Sequence, residues 1–81
     1  MKHTIKDKKN LGNNNWLIAI ELNPDNDFEK GAIQKAENAD ATEAEREMLD
    51  NYLLFCLGDT LSLISLEQQK QNLFIVKAFQ N

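Results

Sequence analysis

The chain holds one cysteine, one histidine, one proline and three glycines in 81 residues. A single thiol, Cys56, allows no intrachain disulfide and no multi-cysteine metal site, which points to a reducing, intracellular setting. Cys56 itself, between Phe55 and Leu57, reads as a small apolar core residue rather than an activated thiolate. The one histidine, His3, leaves a Ser-His or Cys-His mechanism with a single base at the amino end, where no third group is evident to orient it. Ser62 and Ser65 lack a G-x-S-x-G context, and Gly12, Gly31 and Gly58 are too dispersed for a phosphate loop. No stretch reaches the roughly 18 unbroken apolar residues of a membrane helix, since Gly58-Asp59 interrupts the longest candidate. The basic start through Lys6 is followed by Asp7-Lys8-Lys9-Asn10 instead of an apolar core, so a secretory leader is not expected. These absences remove the usual catalytic and cofactor-binding patterns. The expectation is a cytoplasmic protein that is not an enzyme and needs no cofactor.

What is present is a moderately apolar, acidic chain of net charge −4, of a size that makes one domain, residues 1–81. The charge is uneven. Residues 1–9 hold four lysines against Asp7, whereas residues 21–50 hold ten acids against Lys30, Lys35 and Arg46.

Trp16-Leu17-Ile18-Ala19-Ile20-Glu21-Leu22, bounded by asparagines and by Asn23-Pro24, has the aromatic and β-branched content of a strand. Upstream, His3 to Lys9 alternates weakly around Ile5, and Leu11-Gly12-Asn13-Asn14 tolerates positive φ, so an amino-terminal hairpin is expected. The competing reading leaves residues 1–10 as a loose basic arm. A first helix starts after Pro24 with a possible Asn26 to Glu29 capping box and ends near Asn38. A second is capped by Asp40 or by Thr42, the latter with Glu45 in a capping box, and runs to Leu57 before Gly58. Two β-like segments around Leu61 to Leu66 and Leu73 to Phe79 flank a polar connector and suggest a carboxy-terminal hairpin. The fold expected is α+β: a small antiparallel sheet built from two hairpins, with two helices packed on one face. A longer helix through Leu61, Ile64 and Leu66 is the alternative and would make the protein mostly α.

Asp25, Asp27 and Glu29 have the first spacings of a calcium loop, but Lys30 stands where glycine is needed and Ala36 where the closing glutamate belongs. They read as an acidic helix start, and no metal site is expected. On the second helix, Leu49, Tyr52, Leu53 and Cys56 form one stripe, with Leu54, Phe55 and Leu57 outside it, so the helix is expected to be covered on more than one side. On one side of the same helix Asp40, Glu43, Glu47 and Asp50 fall within an arc of about 80° on a helical wheel. A solvated row gives no reason for the raised carboxyl pKa that acid-base catalysis needs; the ridge is either a solvated outer face whose acids complement the helix dipole, which accounts least for Asp50, or a docking surface for a basic partner, such as a nucleic-acid-binding protein. The aromatic and leucine surplus, with Trp16, Tyr52, Leu54 and Phe55 foremost, is core if the helix is sandwiched between the sheet and the first helix, and a partner or homodimer interface if it is not. The resulting expectation is a small inhibitor or immunity-type protein, of bacterial or phage kind, that binds another protein. The alternative is a nucleic-acid-associated regulator using Lys2, Lys6, Lys8 and Lys9 with Trp16 as a stacking surface; four lysines on an acidic chain make direct nucleic-acid binding the weaker case.

Overall fold

In a computed structural model, which describes all 81 residues, β1 (Lys2–Gly12) and β2 (Asn15–Asn23) are joined by Asn13 and Asn14, with φ of 53° and 65°. Two consecutive left-handed residues make the hairpin turn whose twist matches that of its strands, and asparagine tolerates that conformation better than other side-chain-bearing residues. Residues 2–12 are therefore an edge strand paired along β2, not a loose arm.

Helix α1 (Asp27–Glu37) follows Pro24. Asn26 caps it by accepting from the Glu29 amide at 2.8 Å, but the Glu29 carboxylate turns to the Asp25 amide instead of closing a full capping box. At the other end the Ala39 amide donates to Ala36 and the Asp40 amide to Lys35, with Ala39 at φ 59°. This is a Schellman closure with alanine where glycine is usual. Helix α2 (Glu43–Leu57) opens on Thr42, whose hydroxyl accepts from the Glu45 amide while Glu45 accepts from the Thr42 amide, so the Thr42 alternative is the one realised. Gly58, at φ 75°, stops it. The hairpin of β3 (Leu61–Gln68) and β4 (Leu73–Gln80) completes the chain, and residues 61–66 are strand rather than helix.

The four strands form one antiparallel sheet in the order β1-β2-β4-β3, with both helices on one face. Strand pairing places Ile5, Ile20, Phe74 and Gln68 in one cross-strand row, Lys8, Ile18, Val76 and Leu66 in the next, and Asn10, Trp16, Ala78 and Leu63 in a third. The central two strands thus supply the apolar floor, while β1 contributes Lys8 and Asn10 and is left largely exposed. On the opposite face the rows are Lys9-Leu17-Lys77-Ser65 and Asp7-Ala19-Ile75-Glu67. Leu17 lies between two lysines there, and Ala19 and Ile75 between Asp7 and Glu67, as expected of a sheet with one solvated side.

The buried stripe of α2 is Glu45, Leu49, Leu53 and Leu57, spaced four apart, with Tyr52 and Cys56 half-buried beside it. Together with Ala32 and Ile33 of α1 and the floor of β2 and β4 these leucines form the core. Leu54 and Phe55 remain 45% and 72% exposed. The helix is covered on one side only, which corrects the expectation of covering on several. Leu57 belongs to the buried stripe because each step of four residues turns it by only about 40°.

Candidate functional site

Glu43, Glu47 and Asp50 lie on the outer side of α2 and are all exposed. Asp40 does not share that helix: its amide closes α1, and Thr42, not Asp40, begins α2. The acidic row is therefore three residues on one helix, with Asp40 at the end of the other. Arg46 interrupts it, and together with Glu43, Glu47, Asp50 and Asn51 lines a shallow polar depression of about 500 Å³. Three acids against one arginine leave this part of α2 net negative.

Leu54 extends the row. It follows Asp50 by four residues and falls between Glu43 and Glu47 in angle, so the outer side of α2 passes from carboxylates to an exposed leucine. Phe55, more exposed still, stands against Tyr52 with ring centroids 5.8 Å apart. Of the aromatic residues singled out by the sequence, Tyr52 and Trp16 are thus separated from Phe55 by what holds them. Trp16 packs against the core, donates from Nε1 to Gln80 at 3.0 Å and carries the Lys8 ammonium 4.8 Å above its ring. A tryptophan face occupied by a lysine of its own chain is not an open stacking surface for a base.

Tyr52 ties helix to strand. Its hydroxyl donates to the Met1 carbonyl at 3.1 Å; having a single proton, it accepts from Nδ1 of His3, 2.8 Å away, which fixes the proton of His3 on that nitrogen. His3 also stacks edgewise on Tyr52, so it has a firm support that the sequence did not reveal. Its partner is a phenol whose own pKa is raised, chiefly by burial, and which is no nucleophile at neutral pH. Burial likewise pushes the Cys56 thiol up, away from the thiolate form. The acidic helix start is engaged as well. The Met1 ammonium meets Asp25 at 2.8 Å and Glu29 at 3.2 Å, which raises its own pKa and holds the Asp25 carboxyl below its usual range.

Glu45 is the one buried charged residue. Hydrogen bonding from the Thr42 amide, then its hydroxyl and the Lys35 ammonium 3.2 Å away, holds this carboxyl below its usual range. It joins the end of α1 to the start of α2. Beside it a cleft of about 220 Å³ opens between α2 and the sheet, floored by Leu49, Leu66 and Phe74, with Arg46, Asp50 and Gln68 among its lining residues. The Gln68 amide is committed to the carbonyls of Ile33 and Gln71. No group of three His, Cys, Asp or Glu side chains is arranged to hold an ion, and no helix is long and apolar enough to cross a membrane.

Comparison with protein-family models, with curated proteins and with solved structures finds no match. Function therefore has to be argued from the surface.

Proposed function

We propose that this chain is a non-catalytic protein-binding module of the inhibitor or immunity kind, which docks a basic partner through the outer side of α2. Glu43, Glu47 and Asp50 steer and orient the partner, with Asp40 at the margin. Leu54 and Phe55 supply the apolar anchor. The observation that carries the reading is that an exposed leucine, Leu54 at 45%, continues the acidic row, with Phe55, 72% exposed, about 100° round the outer side of the helix from it. Interfaces concentrate their energy in a few aromatic or large apolar anchors ringed by polar groups that exclude water and set orientation. A carboxylate row is explained by solvation alone; a row that runs into an uncovered leucine, with a largely exposed phenylalanine next to it in sequence, is the combination an interface uses.

The test is affinity capture followed by a binding isotherm on the captured protein. The wild-type chain should retain one stoichiometric partner with a basic surface, and Glu43→Lys, Glu47→Lys and Asp50→Lys combined should release it. Asp40→Lys alone should weaken binding much less. Retention of nucleic acid alone, undiminished by the triple reversal, would refute the proposal and favour a regulator acting through Lys2, Lys6 and Lys9.

A further inference from the structure

The order β1-β2-β4-β3 leaves two open edges, and they are unlike. An edge strand presents unpaired amides and carbonyls to any passing strand, and proteins guard such edges with charge, proline, bulges or twist. β1 carries Lys2, Lys6, Lys8 and Lys9 and a register shift between Ile5 and Asp7. Two β1 edges brought together would oppose lysine to lysine. β3 also has a register shift, between Leu63 and Ser65, but from Leu61 to Leu66 it carries no charge and no proline.

The side chains beside that edge are apolar and open. Leu63 is 36% and Ile64 50% exposed. Helix α2 runs antiparallel to β3, since Arg46 and Asp50 of α2 line the same cleft as Leu66 and Gln68 of β3, and only three residues separate the end of the helix from the start of the strand. Advancing four residues from Asp50 to Leu54 moves about 6 Å along the helix. Stepping back from Leu66 to Leu63 passes the register shift and spans two residues of β4, Val76 to Ala78, which is about 7 Å along the strand in the same direction. Leu54 therefore lies on the same flank as Leu63 and Ile64.

We infer that β3 is a self-association edge, on which a second copy of this chain pairs its own β3 antiparallel about a twofold axis and extends two four-stranded sheets into one of eight strands. The charges agree with a second copy as occupant. With Leu63 opposite Ile64 of the other copy, Glu67 falls opposite Thr60 and Asp59 opposite Gln68, with Lys70 two residues further on. No like charges oppose each other, and Asp59 gains a nearby cation. Leu54 of both copies comes to the axis, while Glu43 and Glu47 lie farther from it. With one of its eight residues taken up by the register shift, the edge is about 23 Å long, and such an interface sits at the small end of specific ones. The dimer is accordingly weak, with a Kd on the order of 1 to 100 µM. It does not depend on the docking role of the acidic row, and it would present that row twice on one side of the joined sheet.

Sedimentation equilibrium over a concentration series tests this, with hydrogen exchange on the wild-type chain as a readout that needs no substitution. A monomer to dimer transition is expected, with β3 amides gaining protection as concentration rises. Ile64→Lys and Leu63→Lys, each checked for native circular dichroism, should raise the Kd by about tenfold or more, the equivalent of about 1.4 kcal/mol. Leu17→Glu, on the open sheet face between Lys9 and Lys77, should leave it unchanged. A wild-type chain that stays monomeric up to about 1 mM, where association would be weaker than about −4 kcal/mol, overturns the inference. So does a dimer that Leu17→Glu dissolves and both β3 variants leave intact, because that would assign self-association to the open sheet face.

Discussion

Replacing Phe55 by serine and Leu53 by alanine sets two neighbours on α2 against each other. Leu53 is fully buried, and Phe55 is 72% exposed. Truncating a buried leucine costs about 2 to 5 kcal/mol, from lost transfer energy and the cavity left behind. Full burial of a phenylalanine contributes about 1.5 to 3 kcal/mol, so a ring with only about a quarter of its surface covered contributes roughly 0.4 to 0.8. The tilted contact with Tyr52 adds the low end of an aromatic pair, about 0.5 kcal/mol. Serine and phenylalanine have similar helix propensities, so the backbone adds little. Phe55→Ser should therefore cost about 1 kcal/mol, and at about 4 to 8 °C per kcal/mol for a domain of this size it should lower Tm by no more than about 8 °C. Leu53→Ala should lower it by at least about 8 °C and stands a good chance of unfolding so small a domain at ambient temperature. Thermal melts followed by circular dichroism read both. If Phe55→Ser destabilises as much as Leu53→Ala, α2 is covered on more than one side and no apolar anchor is free for a partner.

The rest of the structure yields further expectations. Thr42→Ala removes the hydroxyl that caps α2 and should cost about 1 kcal/mol, read from the midpoint of urea unfolding. Ala39→Gly relieves a left-handed alanine at the end of α1 and should stabilise by about 0.5 to 1 kcal/mol; no change in midpoint would mean that the Schellman closure is not maintained. Stability should also fall at both ends of the pH scale. The folded-state pKa of Glu45 is depressed, so its contribution is present above the unfolded carboxyl pKa and is lost as pH falls through the folded one. That of the Met1 ammonium is raised, so its contribution is present below the unfolded amine value and is lost as pH rises through the folded one. Denaturation series should show Glu45→Gln flattening the acid limb and Asp25→Asn combined with Glu29→Gln the alkaline limb; an unchanged alkaline limb in that double variant would rule out the ammonium as its source.

Much of this fold is local and was legible in the sequence. Asn13-Asn14 between alternating segments marks the first turn, Thr42 and Glu45 mark the start of α2, and the β-branched content of β2 marks a central strand, because each signal acts within a few residues. The errors arise where the cause lies far along the chain. The apolar stripe of α2 was centred between Tyr52 and Leu53, whereas the sheet selects Leu49, Leu53 and Leu57; a helix with apolar residues over so wide an arc does not say which part meets the floor. Asp40 was placed with the acidic row because nothing local announces that Ala39 takes a left-handed conformation and assigns Asp40 to α1. His3 takes its support from Tyr52, 49 residues away and beyond the reach of any local signal. Glu43, Glu47 and Asp50 were recoverable as one row because helical spacing alone sets their alignment, but the exposure of Phe55 depends on where two helices end over a sheet, which no spacing encodes.

The central claim, that the outer side of α2 docks a basic protein through an acidic row and an apolar anchor, meets its most direct test in the affinity of the captured partner for Phe55→Ser at low and high salt. An anchor residue should carry a large share of the binding energy, at least about 2 kcal/mol or roughly thirtyfold in Kd, with the loss nearly the same at both salt concentrations because an apolar contact is not screened. The triple charge reversal should instead weaken binding most at low salt. A Kd for Phe55→Ser within twofold of the wild-type value, in a variant that melts as the native chain does, would contradict the account.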